Sequence, residues 1–444
     1  MTRSWIHFTR GRFVRQARVG LGELREEHLS RHGFAGPVAM LYRTDGPNEV
    51  VRVEGDYRPR QIDSADVVAA DASNPRAGPL TPLSNEDVAI AISRRRLAMP
   101  YCYRNIDGDL LYFVHRGNGV FATEFGPLRY ELGDYVLLPQ GTTFRLMPDN
   151  TESLLLVVET PQPIRLCEHE QVGRHTPVDP TVLQVPDVAD YGWPKQDEWE
   201  LQIKHKGAHT SIFYRNNPMN VVGWKGDLFP FKLNVRDIRP IMSDRIHLAP
   251  SSWVTFEASG VVVLSFLPQI AVRDLNAEEL PSYHRNIDMD EVMLTHADDD
   301  PRGRRPGGFA FKPQGILHGA TEAFRTEFQA RRTPGMRRTH RHRHRHLPTV
   351  ERIARVRPND GLIPSPCPDR AGAGAYFSLV GNETFQNSRA RAAAFAWRNR
   401  SCATACFSSA AWSAASIEPC VGNTQAVGQR VIPLVRMNSA ITAS

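Results

Sequence analysis

The chain has 444 residues, 41% hydrophobic and 23% charged, which suits an ordinary soluble protein with two or three domain-sized cores. No apolar run approaches the roughly 18 residues of a membrane span. The start, MTRSWIHFTRGRF, has no apolar signal region, and six Cys are no disulfide framework. The formal net charge of +6 sits at one end: residues 340–444 hold 13 Arg, no Lys and five acidic residues, whereas residues 1–339 hold 41 basic and 43 acidic ones. The body therefore has no electrostatic footprint for nucleic acid, and a reducing cytoplasm is the expected compartment.

Residues 1–60 read as short strands, and the Pro-, Ser- and Asp-rich stretch 61–85 as a linker or surface loop; together 1–96 are expected to form an N-terminal segment and linker. From 97 to 165 the pattern is dense in strands: YCYRNI, LLYFVHRG, GVFATEFG, LRYELGDYVLLP, TTFRLMP and SLLLVVET are short, aromatic and β-branched, bounded mostly by Gly, Pro or Asp. Such spacing predicts an antiparallel sandwich or barrel. Residues 166–240 are a Pro- and Trp-rich connection. Strands return over 241–339 with WVTFEAS, GVVVLSFLP, SYHRNI, DEVMLTH and GGFAFKPQG, closed by a helix at 319–332. Residues 340–444 open with HRHRHRH and show no sustained period, so this basic tail is expected to be disordered or non-native, with a frame disruption near Thr339. Its histidines alternate with Arg, which disfavours a cation site, and Cys402 and Cys406 lack a second pair for zinc.

The chain matches itself. YRNIDGDL at 103–110 aligns on HRNIDMDE at 284–291, and PQGTTF at 139–144 aligns on PQGILH at 313–318. A duplicated fold explains the repeat; its differences point to chemistry. Tyr103, Leu110 and Phe144 of the first copy are replaced by His284, Glu291 and His318 in the second. Two His and one carboxylate with open positions are the ligand set of non-haem Fe(II) oxygenases. Asp290 competes with Glu291 as the carboxylate, and the alternation of the first copy, which puts Leu110 inward, favours Glu291. His115 and His296 occupy equivalent places in the copies, which argues for a shared structural role.

HRNIDMDE followed by GGFAFKPQGILHG resembles the two motifs of the cupin superfamily, with Asn286 at the place of a second His and Gly308, Pro313, Gly315 and His318 matching the second motif. The longer context, FYRNNPMNVVGWKGDLFPFKLNVRDIRP, HLAPSSWVTFEA and SYHRNIDMDEV, resembles the homogentisate 1,2-dioxygenase family over about residues 95–325. The resemblance implies an all-β fold of two cupin (jelly-roll) barrels in one chain, the first degenerate and the second metal-binding. It implies Fe(2+) held by His284, Glu291 and His318, His247 as the catalytic proton-handling residue, and Lys312 and Asn286 against the substrate. It further implies a small aromatic acid and O2 as reactants, homogentisate giving maleylacetoacetate, and a homo-oligomer, trimer or hexamer. The sequence departs from the family at Ala320, where Pro is usual after His-Gly, and at Lys312, where many members have His. Those departures leave two alternatives: a related cupin dioxygenase acting on gentisate or a hydroxynaphthoate, and a bicupin that binds a ligand or metal without turnover.

Overall fold

The computed structural model describes residues 6–32, 35–149, 152–169, 172–175, 177–296, 305–330 and 351–354. In chain order the strands are β1 (Arg25–His32), β2 (Ala35–Arg43), β3 (Arg60–Asp63), β4 (Leu80–Ser84), β5 (Ala89–Ser93), β6 (Cys102–Asn105), β7 (Asp109–Arg116), β8 (Gly119–Thr123), β9 (Gly126–Tyr130), β10 (Asp134–Leu138), β11 (Thr143–Pro148) and β12 (Leu154–Thr160). There follow β13 (Arg165–Leu166), β14 (Trp199–His205), β15 (Ala208–Tyr214), β16 (Phe231–Asn234), β17 (Val254–Ala258), β18 (Val261–Ser265), β19 (Tyr283–Asn286), β20 (Glu291–Leu294), β21 (Gly308–Lys312), helix α1 (Glu322–Ala330) and β22 (Glu351–Ala354). Among the described residues the protein is all-β apart from α1 and short 3-10 turns. Among the described residues no helix is long and apolar enough to cross a membrane.

The four sheets form two equivalent pairs. One large sheet has the order β16-β10-β7-β12-β5-β4, and the other β13-β17-β18-β22-β20-β21-β3. Apart from β13, each strand of the second has a counterpart in the first: β20 stands for β7, β21 for β10, β22 for β12 and β3 for β16. The smaller sheets repeat the relation, with β14 parallel to β6 in one and β1 parallel to β19 in the other. The duplicated unit is therefore longer than the matched motifs, and its leading strands are exchanged. The hairpin β1–β2 and strand β3 complete the sheets of the second copy, whereas β14–β15 and β16 complete those of the first.

This exchange explains why segments that look like linkers are ordered. In the stretch 61–85, Val67 and Ala69 are buried, and the buried Asp71 accepts hydrogen bonds from Ser93 Oγ at 2.5 Å and the Arg94 amide at 3.0 Å. Strand β22 falls inside the segment expected to lie outside the fold, yet it pairs with both β18 and β20, as β12 pairs with β5 and β7. Its sequence, ERIA, carries two charges and gives no strand signal. The remainder of the 340–444 tail, with its HRHRHRH run and Cys402 and Cys406, lies outside the described residues.

The core follows from strand alternation. Strand β7, DLLYFVHR, is buried at every position but the last. Leu110, Tyr112 and Val114 face the interior of the first copy with Phe121, Val136 and Phe144, while Leu111 and Phe113 face a second core shared with Phe256, Val292, Leu294, Phe309 and Phe311 of the other copy. A strand covered on both faces reads as a continuous apolar run. At the junction the equivalent residues His115 and His296 meet, Nδ1 to Nδ1 at 2.9 Å, so one ring donates and the other accepts.

Burial, then the facing His296 and the nearby Arg116 and Arg94, push His115 down to about 3 from 6.5. The unfolded chain takes up this proton near pH 6.5 and the folded chain only near 3, so the stability is full above that window. It falls as pH drops through it, by up to about 1.4 kcal/mol per pH unit for one such group. Thermal melts between pH 7 and 5 should show a smaller acid loss for His115→Asn than for the parent; equal slopes would contradict the burial argument.

Candidate metal centre

The second copy builds a three-residue cluster from two strand pairings. His284 on β19 and His318 form an antiparallel bridge, each amide donating to the other's carbonyl at 2.9 Å. Their rings lie on one side, with centroids 4.1 Å apart. Glu291 opens β20 and pairs with Lys312 at the end of β21. The first copy has the same pairings with other side chains: Tyr103 opposite Phe144, and Leu110 opposite Leu138. There the rings of Tyr103 and Phe144 pack edge to face, with centroids 5.5 Å apart.

Glu291 Oε2 is 3.1 Å from His318 Nε2 and 3.7 Å from His284 Nε2. One ligand atom from each of the three residues lies within 4.8 Å of the others. Adjacent ligands of an octahedral ion at bond lengths near 2.1 Å are about 3 Å apart, so these separations suit a divalent cation. The tautomers suit it as well. His284 Nδ1 and His318 Nδ1 each lie 2.9 Å from the carbonyl two residues earlier, Ser282 and Ile316. With Nδ1–H donating there, both Nε2 lone pairs point into the cluster. Burial, reinforced by the Lys312 ammonium, pushes His318 down to about 3 and keeps it neutral.

Asp290 turns away from this cluster. Its Oδ1 accepts from the Gln314 amide at 2.9 Å, as Asp109 accepts from the Gln140 amide at 2.7 Å in the first copy. The shared bond fixes the register of both turns and places the next residue, Glu291 or Leu110, on the inner face.

Lys312 Nζ donates to Glu291 Oε1 at 2.9 Å, which leaves Oε2 toward the two imidazoles. Asn286 follows His284 by two residues on β19 and so lies on the same face. It is 2% exposed, and neither its amide nitrogen nor its oxygen has a hydrogen-bond partner. Its counterpart Asn105 is satisfied by Gly108, Asp107 and Glu159. A buried side chain with both polar atoms unpaired is costly unless a ligand or water completes it.

His247 is not part of the three-residue cluster. It lies in the loop ahead of Pro250, half-buried, and burial together with the Arg18 charge pushes it down to about 4. Arg18 connects that loop to the site, because its guanidinium donates to Ser282 Oγ at 2.9 Å, two residues before His284.

Fold and side chains thus define the class: an all-β protein with a buried two-histidine, one-carboxylate group fit for a divalent metal. Comparison with known proteins adds a likeness to that class. Residues 71–235 match the family described as homogentisate 1,2-dioxygenase N-terminal. A protein of Saccharolobus solfataricus carrying a provisional dioxygenase name is 26% identical over 67% of this chain and 80% of its own length. The homogentisate 1,2-dioxygenase of Bradyrhizobium diazoefficiens is 27% identical over 49% of this chain, and that of Rhodopseudomonas palustris 25% identical over 72%. The chain spans 50% of the Bradyrhizobium enzyme's length and 71% of the Rhodopseudomonas enzyme's. Among solved structures, a cupin 2 conserved barrel domain protein from Leptotrichia buccalis aligns over 68% of this chain and 98% of its own, with TM-score 0.28 and 10% identity. Over these stretches the chain is similar to the homogentisate 1,2-dioxygenases.

Proposed function

We infer that the protein is an Fe(II)-dependent ring-cleaving dioxygenase acting on homogentisate and giving maleylacetoacetate. The observation that carries this reading is the convergence of His284 Nε2, His318 Nε2 and Glu291 Oε2 in a buried cluster; the family of its relatives supports the reaction class. Iron held by these three residues would supply an electron path between an electron-rich ring and O2, with further positions open to both.

The chain's own groups do the rest. The two histidines and Glu291 set which side of the pocket stays open. Asn286 offers a donor and an acceptor to a ring hydroxyl, which satisfies its unpaired atoms. The Lys312 ammonium pairs with the acid side chain of the substrate when Glu291 turns to the metal. His247, neutral at pH 7, is suited to take the hydroxyl proton. A homo-oligomer in the cytoplasm completes the proposal. The test is anaerobic loading with Fe(II), followed by oxygen uptake with homogentisate. Absence of uptake in a protein that holds one iron per chain would refute the substrate.

Lys312 favours a second reading, a related cupin dioxygenase acting on gentisate or a hydroxynaphthoate, and the same assay with those acids decides between the two. Lys312→Met should show which partner the ammonium serves. Removing a positive charge beside the cluster should tighten metal binding by at least about tenfold, while KM for the aromatic acid rises by about the same factor. Metal titration and steady-state kinetics read the two effects separately; weaker metal binding in Lys312→Met would contradict the assigned role.

A further inference from the structure

The metal cluster has a wall that comes from the other end of the chain. Strand β1 runs parallel to β19 with His28 opposite His284 and Ser30 opposite Asn286. Residues facing each other across a ladder share a side of the sheet, and neighbouring strands lie about 4.8 Å apart. The opposite face confirms the assignment, since Arg285 on β19 pairs with Glu27 on β1 at 2.7 Å. His28 therefore stands beside His284 in one cross-strand row that ends at His318.

His28 is held in place. It is 8% exposed, and its Nε2 lies 2.8 Å from Glu26 Oε1. Glu26 in turn accepts from the Arg18 amide at 3.0 Å and from Tyr42 Oη at 3.1 Å. Arg18 adopts a left-handed backbone, φ 66°, to present that amide; a non-glycine residue does so against steric resistance.

The first copy is an internal control. There the position of His28 is taken by Gln202, opposite Tyr103, and that of Ser30 by Lys204, opposite Asn105. Lys204 is paired to Glu159 at 2.5 Å, and Asn105 bonds to the same carboxylate. So in the copy whose cluster is Tyr, Leu and Phe, the exchanged strand brings a glutamine and an ion pair that closes on itself. In the copy whose cluster is His, Glu and His, it brings a buttressed histidine beside an asparagine with both polar atoms unpaired.

We propose that His28, delivered by the exchanged strand β1 and fixed by Glu26, contacts the anionic atom of whatever small ligand occupies the metal centre. The proposal rests on the metal reading of His284, Glu291 and His318, but not on homogentisate as substrate. The probe is azide, a small anion, titrated against anaerobic Co(II)-loaded protein and followed by visible absorption, for the parent, His28→Phe and His28→Gln. All three should bind one Co(II) per chain. Azide affinity should fall about tenfold in His28→Phe, the worth of a charge-assisted hydrogen bond, and recover in part in His28→Gln. Parent-like azide affinity in His28→Phe overturns the proposal, as does loss of Co(II) from both variants, which would make His28 a structural support. If His28→Phe does not fold, His28→Gln decides alone, with unchanged azide affinity counting against the contact. A parent protein that binds no Co(II) refutes the metal reading itself and this inference with it.

Discussion

Glu291→Gln should abolish metal binding while leaving the fold intact. The glutamine has nearly the same shape, but it lacks the charge that draws a divalent cation between two neutral imidazoles. Glu291 is one of three ligands and carries the negative charge of the set, so losing its carboxylate should lower metal affinity by more than about 100-fold. Glu291 is 1% exposed and its Oε1 pairs with Lys312, so the variant also leaves the ammonium without its anion. Asp290→Asn is the control. Its carboxylate serves the Gln314 amide, and the substitution should lower stability with metal stoichiometry kept. Metal analysis after dialysis, with circular dichroism, distinguishes the two; loss of metal from Asp290→Asn alone would move the ligand one residue earlier.

Gly108→Ala should destabilise the first copy strongly. A Cβ at Gly108 would lie 2.0 Å from the Thr160 carbonyl oxygen and 2.6 Å from its carbon. Those are backbone atoms at the end of β12, which is hydrogen-bonded on both sides, and they have no rotamer by which to yield. Overpacking of this kind costs about 3 kcal/mol, which in a protein of this size lowers Tm by about 3 °C. The aligned residue of the second copy is Met289, so the same turn accepts a large side chain there. A drop of less than about 1 °C would show that the β12 end shifts freely, contrary to its pairing.

The cluster of His284, Glu291 and His318 was legible because it is written in local terms. Two short motifs recur, and the inner face of a strand is set by a period of two, so replacing Tyr103, Leu110 and Phe144 identifies the side chains that meet. The all-β class was legible for the same reason: β-branched and aromatic runs such as LLYFVHRG and SLLLVVET carry their own signal. Helix α1 was found within 319–332, where residues 322–330 are helical.

What the tertiary structure alone decided is who pairs with whom. That β1 crosses to lie parallel to β19, that β3 and β16 complete each other's sheets, and that β22 sits between β18 and β20 depend on contacts between segments far apart in the chain. Local propensity carries no information about a distant hydrogen-bonding partner, because the ladder bonds are backbone to backbone and the same for every sequence. So the residues on those segments, His28 and Glu26 above all, read as ordinary polar positions until the strand that carries them is seen beside His284.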